Sequence, residues 1–232
     1  QQSPQGPSLA LDTCGACHSR RSELQEPSGA EPYHQQFQLE GLDEPLYFSD
    51  GQIREEVFVL GSFLQSKMAE AGVTCTNCHD PHTGKTLLPG AQVCSTCHAP
   101  TVFAATEHTN GHEGADCLDC HMPERIYMGV DARRDHRFHR PSPKHPNSSS
   151  PCKTCHEDAS EGWLTNALKA WPKRQGASPD TLGEWAALNH RLSALDTTAM
   201  SSASNLLNNG SLPSLEEAAL VEKMVVITPQ RM

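Results

Sequence analysis

Apolar residues follow a helical rhythm in some stretches of this chain and lose it in others. Between Leu46 and Met68, the positions Ile53, Val57, Leu60, Phe63, Leu64 and Met68 recur at three- and four-residue steps, the period of one helix face. The pattern predicts a helix over 51–71 that ends at Gly72. After His156, Trp163, Ala167, Leu168 and Trp171 outline a short amphipathic helix stopped by Pro172. Leu182, Trp185, Leu188, Leu192 and Leu195 outline another, begun at Pro179-Asp180. Two weaker helices are expected over 197–209, closed by Gly210, and over 213–226. Residues 1–13 are rich in Gln, Ser and Pro and are expected to form a loose arm.

The cysteines change the picture of the middle region. All of them fall in five C-x-x-C-H pentapeptides: Cys14–Cys17–His18, Cys75–Cys78–His79, Cys94–Cys97–His98, Cys117–Cys120–His121 and Cys152–Cys155–His156. This is the attachment signature of c-type haem. Two thiols three positions apart reach the two vinyl groups of a porphyrin, and the next residue is a histidine held against the iron. Zinc sites need such pairs two at a time or a different Cys/His spacing. A disulfide framework gives no reason for a histidine after each pair, and no βαβ unit accompanies a thioredoxin-like dithiol. Five covalently bound haem c groups are therefore expected, and this chemistry places the protein in a periplasmic or extracellular compartment. Its leader is expected to have been removed.

Composition supports cofactors as much of the core. With 232 residues there are about 46 per motif, too few for separate polypeptide cores. Only 36% of residues are hydrophobic and 5% aromatic, so apolar macrocycles must supply buried surface. The formal net charge of −10 argues against nucleic acid and anionic membranes as partners. No apolar run is long enough to span a bilayer. Redox partner proteins or other cytochromes are the expected partners.

The motifs are unevenly spaced. The first stands apart, whereas motifs two, three and four are joined by connectors of 14 and 18 residues broken by Pro81, Gly84, Pro89 and Gly90, which keeps their cofactors close. Arg133, Arg134, Arg137 and Arg140 precede motif five and a Pro/Ser/Asn loop over 141–151. They suit either a solvated loop or pairing with haem propionates. The expected organisation is an N-terminal arm over 1–13, a pentahaem domain over 14–160 and a cofactor-free helical-hairpin tail over 161–232. The fold class is mainly α with extensive loops, a multihaem cytochrome c fold around stacked haems with little or no β.

The second axial position decides what each iron does. A second His or Met makes an electron-transfer centre, and an open position binds substrate. His34, His82, His108, His112, His136, His139, His145 and His190 lie outside the motifs, more than five irons need. His82, in CHDPH, is too close to its own motif to reach round that haem and suits a neighbour. His108 and His112 share a face if their segment is helical. Met68 competes with a plain role as a core methionine.

The strings CHSRRSEL, DGQIREEVFVLGSFLQSKM, GVTCTNCHDPH, GADCLDCHMPERIYMGVDARRDHRF and PCKTCH resemble the C-terminal haem block of cytochrome c-554-like multihaem cytochromes with tetratricopeptide- or HEAT-like tails. The resemblance covers roughly 14–160. The CHMP segment followed by His136 is also similar to pentahaem nitrite reductases, in which a histidine after CHMP is a distal ligand. The resemblance implies distal roles for His136, His82, His108 and His112 and raises Met68, with His34 also a candidate. The lysine variant of the motif that those reductases use is absent from all five motifs. The resulting expectation is an electron-transfer protein rather than an enzyme, with no catalytic residue. It passes single electrons along closely packed six-coordinate haems, as a soluble carrier or as a self-associating extracellular filament subunit. The alternative is an oxidoreductase acting on a small nitrogen or sulfur species at one open haem, with Arg133, Arg134 and His139 lining a pocket.

Overall fold

The computed structural model describes residues 8–28, 31–141, 150–171 and 182–228. In chain order the elements are α1 (Ser8–Gly15), β1 (Arg21–Glu23), α2 (Tyr33–Gln36), β2 (Phe37–Leu39), α3 (Leu60–Phe63) and α4 (Lys67–Glu70). Next come α5 (Pro100–Phe103), α6 (Thr106–Thr109), α7 (Cys117–His121), β3 (Glu124–Tyr127) and β4 (Asp131–Arg134). The chain ends with α8 (Glu161–Ala170), α9 (Leu182–Ser193), α10 (Met200–Asn208) and α11 (Ser214–Ile227). The protein is mainly helical with extensive loops, and among the described residues the strands form two short antiparallel ribbons, β1–β2 and β3–β4. Among the described residues, no helix is long and apolar enough to cross a membrane.

Two compact units emerge, one of Gln1–Cys75 with Thr181–Met232 and one of Thr76–Asp180. The first has a polypeptide core. Leu42, Tyr47 and Val57 are buried in one cluster with Trp185, Leu188, Leu192, Leu206, Leu212 and Leu220. Polar links reinforce it, with Asn189 Nδ2 donating to the Ser49 carbonyl at 3.0 Å and Trp185 Nε1 to the Glu216 carbonyl at 3.1 Å. Lys223 pairs with Asp43. This grouping differs from the boundary expected at 160/161, because the apolar faces of α9, α10 and α11 bury the segment around Tyr47 instead of each other alone.

The helix expected over 51–71 is replaced by two short helices. Gly51 takes φ +78° and Phe58 takes φ +59°, left-handed conformations that an α-helix does not contain. The turn at Gly51 is held by its N–H to the Phe48 carbonyl at 2.8 Å, and buried Gln65 donates to the carbonyls of Gly51 at 3.2 Å and Gly61 at 3.0 Å. Ser66 then starts α4 by accepting from the Ala69 N–H at 3.1 Å, an N-cap. Gly72 has positive φ after α4, as the expected stop requires. The N-terminal arm also departs from expectation, since α1 begins at Ser8 and carries Cys14 in its last turn. Ser160 caps α8, which ends beside Trp171, and α10 and α11 lie within a residue or a few of their expected limits.

The second unit has a different interior. Among its described residues the buried apolar side chains are Val93 and Leu164, far short of a self-sufficient core for its length. Motif-bearing turns make up much of it. A 3-10 turn over Gly90–Thr96 carries Cys94, another over Pro151–Thr154 carries Cys152, and α7 carries motif four. Both turns pack against α7. The β3–β4 hairpin pairs Glu124 with Arg134 and turns at Met128 and Gly129, both at positive φ.

Candidate haem-binding centre

Each motif is wound into a tight turn that presents its two thiols and its histidine together. The His18, His98 and His156 N–H groups donate to the carbonyls of Cys14, Cys94 and Cys152 at 2.8, 2.9 and 2.9 Å. α7 is fixed by a capping box, with Asp116 accepting from backbone N–H and Asp119 reaching back to the Asp116 N–H at 3.0 Å. All ten cysteines are free thiols, exposed or half-buried. Burial pushes the Cys78, Cys94 and Cys120 thiols above their ordinary range. Charge on the next motif adds to it: Cys97 acts on Cys78, Cys117 on Cys94, and Cys152 on Cys120. Motifs three, four and five are thus contiguous neighbours, with α7 in contact with both of the others.

The imidazoles face one another in pairs. Ring centres of His79 and His136 are 6.4 Å apart, those of His108 and His121 are 6.0 Å apart, and those of His112 and His156 are 6.1 Å apart. One metal between two imidazoles needs about 2 Å to each nitrogen and about 1 Å more from nitrogen to ring centre, giving about 6 Å in all. Each pair joins one motif histidine to one histidine outside the motifs. The spacing fits an iron held axially from both sides. Among the described residues no cluster of three or more His, Cys, Asp or Glu is arranged to hold a metal by protein donors alone.

Hydrogen bonds orient these rings. Nδ1–H of His121 donates to the His139 carbonyl at 3.0 Å, that of His136 to the Arg134 carbonyl at 2.9 Å, that of His112 to the Thr109 carbonyl at 2.8 Å, and that of His79 to the Gly84 carbonyl at 3.2 Å. A carbonyl only accepts, so the proton sits on Nδ1 and the Nε2 lone pair is left for a metal. Burial also holds the pKa of His121 and of His136 below the ordinary value, favouring the neutral ring.

Residues 102–211 match the family model described as cytochrome c552, and residues 67–103 match the one for a doubled CXXCH motif. These matches support a multihaem c-type cytochrome. No curated protein and no solved structure matches it, and the similarity found stands at this level rather than at the c-554-like, repeat-tailed type. The cytochrome c552 match takes in motifs four and five, His108, His112 and His136, and the helices α8, α9 and α10. The doubled-motif match takes in Met68, His82 and motifs two and three. Electron transfer through covalently bound haem c is the activity that these matches support for the cytochrome.

Several expected site residues fall elsewhere. His108 and His112 do not share a helical face, because Asn110 at φ +50° ends α6 between them; each faces a different motif histidine. His34 is exposed on α2, Met68 is half-buried on α4, and His190 is exposed on α9. His82 is exposed in a turn built on Asp80, whose Oδ1 accepts from the N–H groups of His82 and Thr83 at 2.9 Å each. Those bonds, Thr83 first, lower the Asp80 pKa. His145 lies outside the described residues. The arginines engage carboxylates: Arg133 with Asp131 at 2.6 Å, Arg134 with Glu124 at 3.8 Å, and buried Arg137 with Asp135 at 2.8 Å.

Aromatic side chains that sequence patterns assigned to helix faces, or passed over, prove to touch the imidazoles. Phe103 stands edge-on to both His98 at 4.9 Å and His108 at 5.4 Å. Trp171 stacks on His112 at 5.5 Å, and Trp163 meets His156 at 5.0 Å. The two tryptophans, eight residues apart beside motif five, were legible as a helix face; nothing in their spacing signalled a ring beneath them. The carbonyls of Gly84, Thr109, Arg134 and His139 act through the backbone and leave no signature in residue type.

Proposed function

We propose that the cytochrome holds five covalent haem c groups and carries single electrons along them in an exported compartment, periplasmic or extracellular. The three facing imidazole pairs at 6.0–6.4 Å carry this reading. His79 with His136, His121 with His108, and His156 with His112 would each fill both axial positions of one iron. His34, His82 and Met68 are the candidates among which the second ligands of the motif-one and motif-three irons would be found. Haem held by two such imidazoles would supply one-electron redox chemistry with no position left for substrate. The protein's part is to fix ring tautomers through backbone carbonyls and to hold consecutive motifs in contact, which shortens each electron step.

Near-infrared magnetic circular dichroism of the oxidised holoprotein tests the assignment. His136→Met, His108→Met and His112→Met are each expected to move the charge-transfer band of one iron from the bis-histidine to the histidine/methionine position. Bands unchanged in all three variants would overturn the pairing. Stoichiometric carbon monoxide uptake by the reduced wild type would overturn the electron-carrier reading in favour of the oxidoreductase. Negative-stain imaging separates a soluble carrier from a filament subunit.

A further inference from the structure

The three imidazole pairs differ in one respect. The ring planes of His79 and His136 lie 26° apart and those of His108 and His121 lie 11° apart, whereas His112 and His156 cross at 86°. The torsion that sets a histidine ring plane is broad and weakly defined by its own rotamer, so something outside the residue must hold it. For His112 that object is Trp171. Its indole lies 10° from the imidazole plane with centres 5.5 Å apart. Trp171 is itself held at two points: its backbone N–H donates to the Leu168 carbonyl at 3.3 Å, and its Nε1–H donates to the His108 carbonyl at 2.9 Å. His112 Nδ1 is pinned to Thr109, so the ring cannot turn out of the plane of the indole without losing one contact or the other. Trp163 meets His156 at a 45° tilt and gives no comparable planar support.

We propose that Trp171 is a positioning residue that sets the plane of His112 across that of His156 and so makes the motif-five haem site electronically different from those of motifs two and four. Near-parallel imidazoles donate into the same iron d orbital and split the pair of π-symmetry orbitals widely. Crossed imidazoles donate into both and leave them nearly degenerate. The difference is read as a strongly anisotropic, large-g low-spin signal against an ordinary rhombic one, and as a reduction potential of its own. A potential step at motif five would give direction to electron flow through the contiguous motifs three, four and five. The same hydrogen bond from Trp171 Nε1 to the His108 carbonyl ties the residue that faces the motif-four histidine to the ring that orients His112.

This inference rests on His112 and His156 being the two axial ligands of one iron, which the His112→Met spectrum tests by itself. The deciding experiment is low-temperature EPR of the oxidised holoprotein with haem content checked for each variant. Trp171→Met, which fills the space with a flexible chain, and Trp171→Leu are expected to lose one haem's worth of large-g intensity and to gain the same amount of rhombic signal. Trp171→Phe keeps a flat face against His112 and is expected to retain the wild-type spectrum, as is Trp163→Leu. A large-g signal unchanged in both Trp171→Met and Trp171→Leu, with His112→Met giving the histidine/methionine band, overturns the role of Trp171 alone. A His112→Met spectrum identical to wild type overturns the ligand assignment beneath it.

Discussion

Gly15 is the first variable residue of motif one, and its place in the packing explains its size. A Cβ there would come within 2.8 Å of Leu60 Cδ2 and 3.2 Å of Tyr33 Cδ2. The same neighbourhood holds buried Ser19, whose hydroxyl donates to the Gly15 carbonyl at 2.6 Å and lies 2.8 Å from the Tyr33 hydroxyl. Gly15→Val should therefore lower holoprotein stability by about 1–3 kcal/mol, as overpacking does. Ser95→Val, at the equivalent exposed position of motif three, should stay within about 0.5 kcal/mol. Denaturant melts compare the two, and equal effects would remove the packing explanation. At this scale the attachment chemistry was wholly legible in the sequence, since it lies within five consecutive residues. The tight fit around Gly15 was not, because Leu60 and Tyr33 reach it from distant segments.

At the level of elements, the tail shows how local signals succeed. Asp196 starts the turn that leads into α10: its carboxylate accepts from the Thr198 hydroxyl at 2.6 Å, from the Thr198 N–H at 2.9 Å and from Arg191 Nε at 2.8 Å. The Thr198 hydroxyl and Arg191 bonds lower its pKa from 3.8 to about 2. A carboxyl lowered in the folded state adds stability that is complete above its unfolded value and is lost as pH falls through the folded one. The contribution of Asp196 should therefore vanish progressively between about pH 4 and pH 2. Asp196→Asn should lower the melting temperature at pH 6 and narrow its gap to wild type toward pH 2. A gap independent of pH would show that the carboxylate is not the source. Helices α8, α10 and α11 were readable because the apolar period agrees with boundary residues, Ser160 before α8, Gly210 after α10 and Pro213 before α11. The segment 51–71 carried an equally good period, yet Gly51 and Phe58 adopt left-handed backbone, and Val57 between them is buried in one cluster with Tyr47. Burial of a turn outweighed helical propensity there, and periodicity alone does not register that competition.

The whole molecule divides by how each unit gains its interior. One unit buries Trp185, Leu192, Leu220, Tyr47 and Leu42 in polypeptide. The other buries Val93 and Leu164 and carries four of the five motif histidines. A variant with all ten cysteines replaced by Ala, made without haem, should retain hydrogen-exchange protection in α9 and α11 and lose it around α7 and the Gly90–Thr96 turn. The contrast should be at least about tenfold in exchange rate, as expected when one region unfolds independently of another. Uniform loss of protection would mean that the polypeptide core also depends on haem. Low aromatic content announced that cofactors replace core, but it did not say which half of the chain they replace it in.

The cofactor class, the five C-x-x-C-H motifs and the approximate places of helices α8, α10 and α11 were readable from the amino-acid sequence alone. Each of these is encoded within a few consecutive residues, through covalent reach or local backbone preference. Folding in three dimensions is what brings His136 to face His79, parts His108 and His112 to face His121 and His156, and crosses one of these pairs. Axial pairing requires side chains from remote segments to meet at about 6 Å with defined planes. That geometry is set by left-handed turns, backbone carbonyls and a stacked tryptophan, none of which a count of histidines contains.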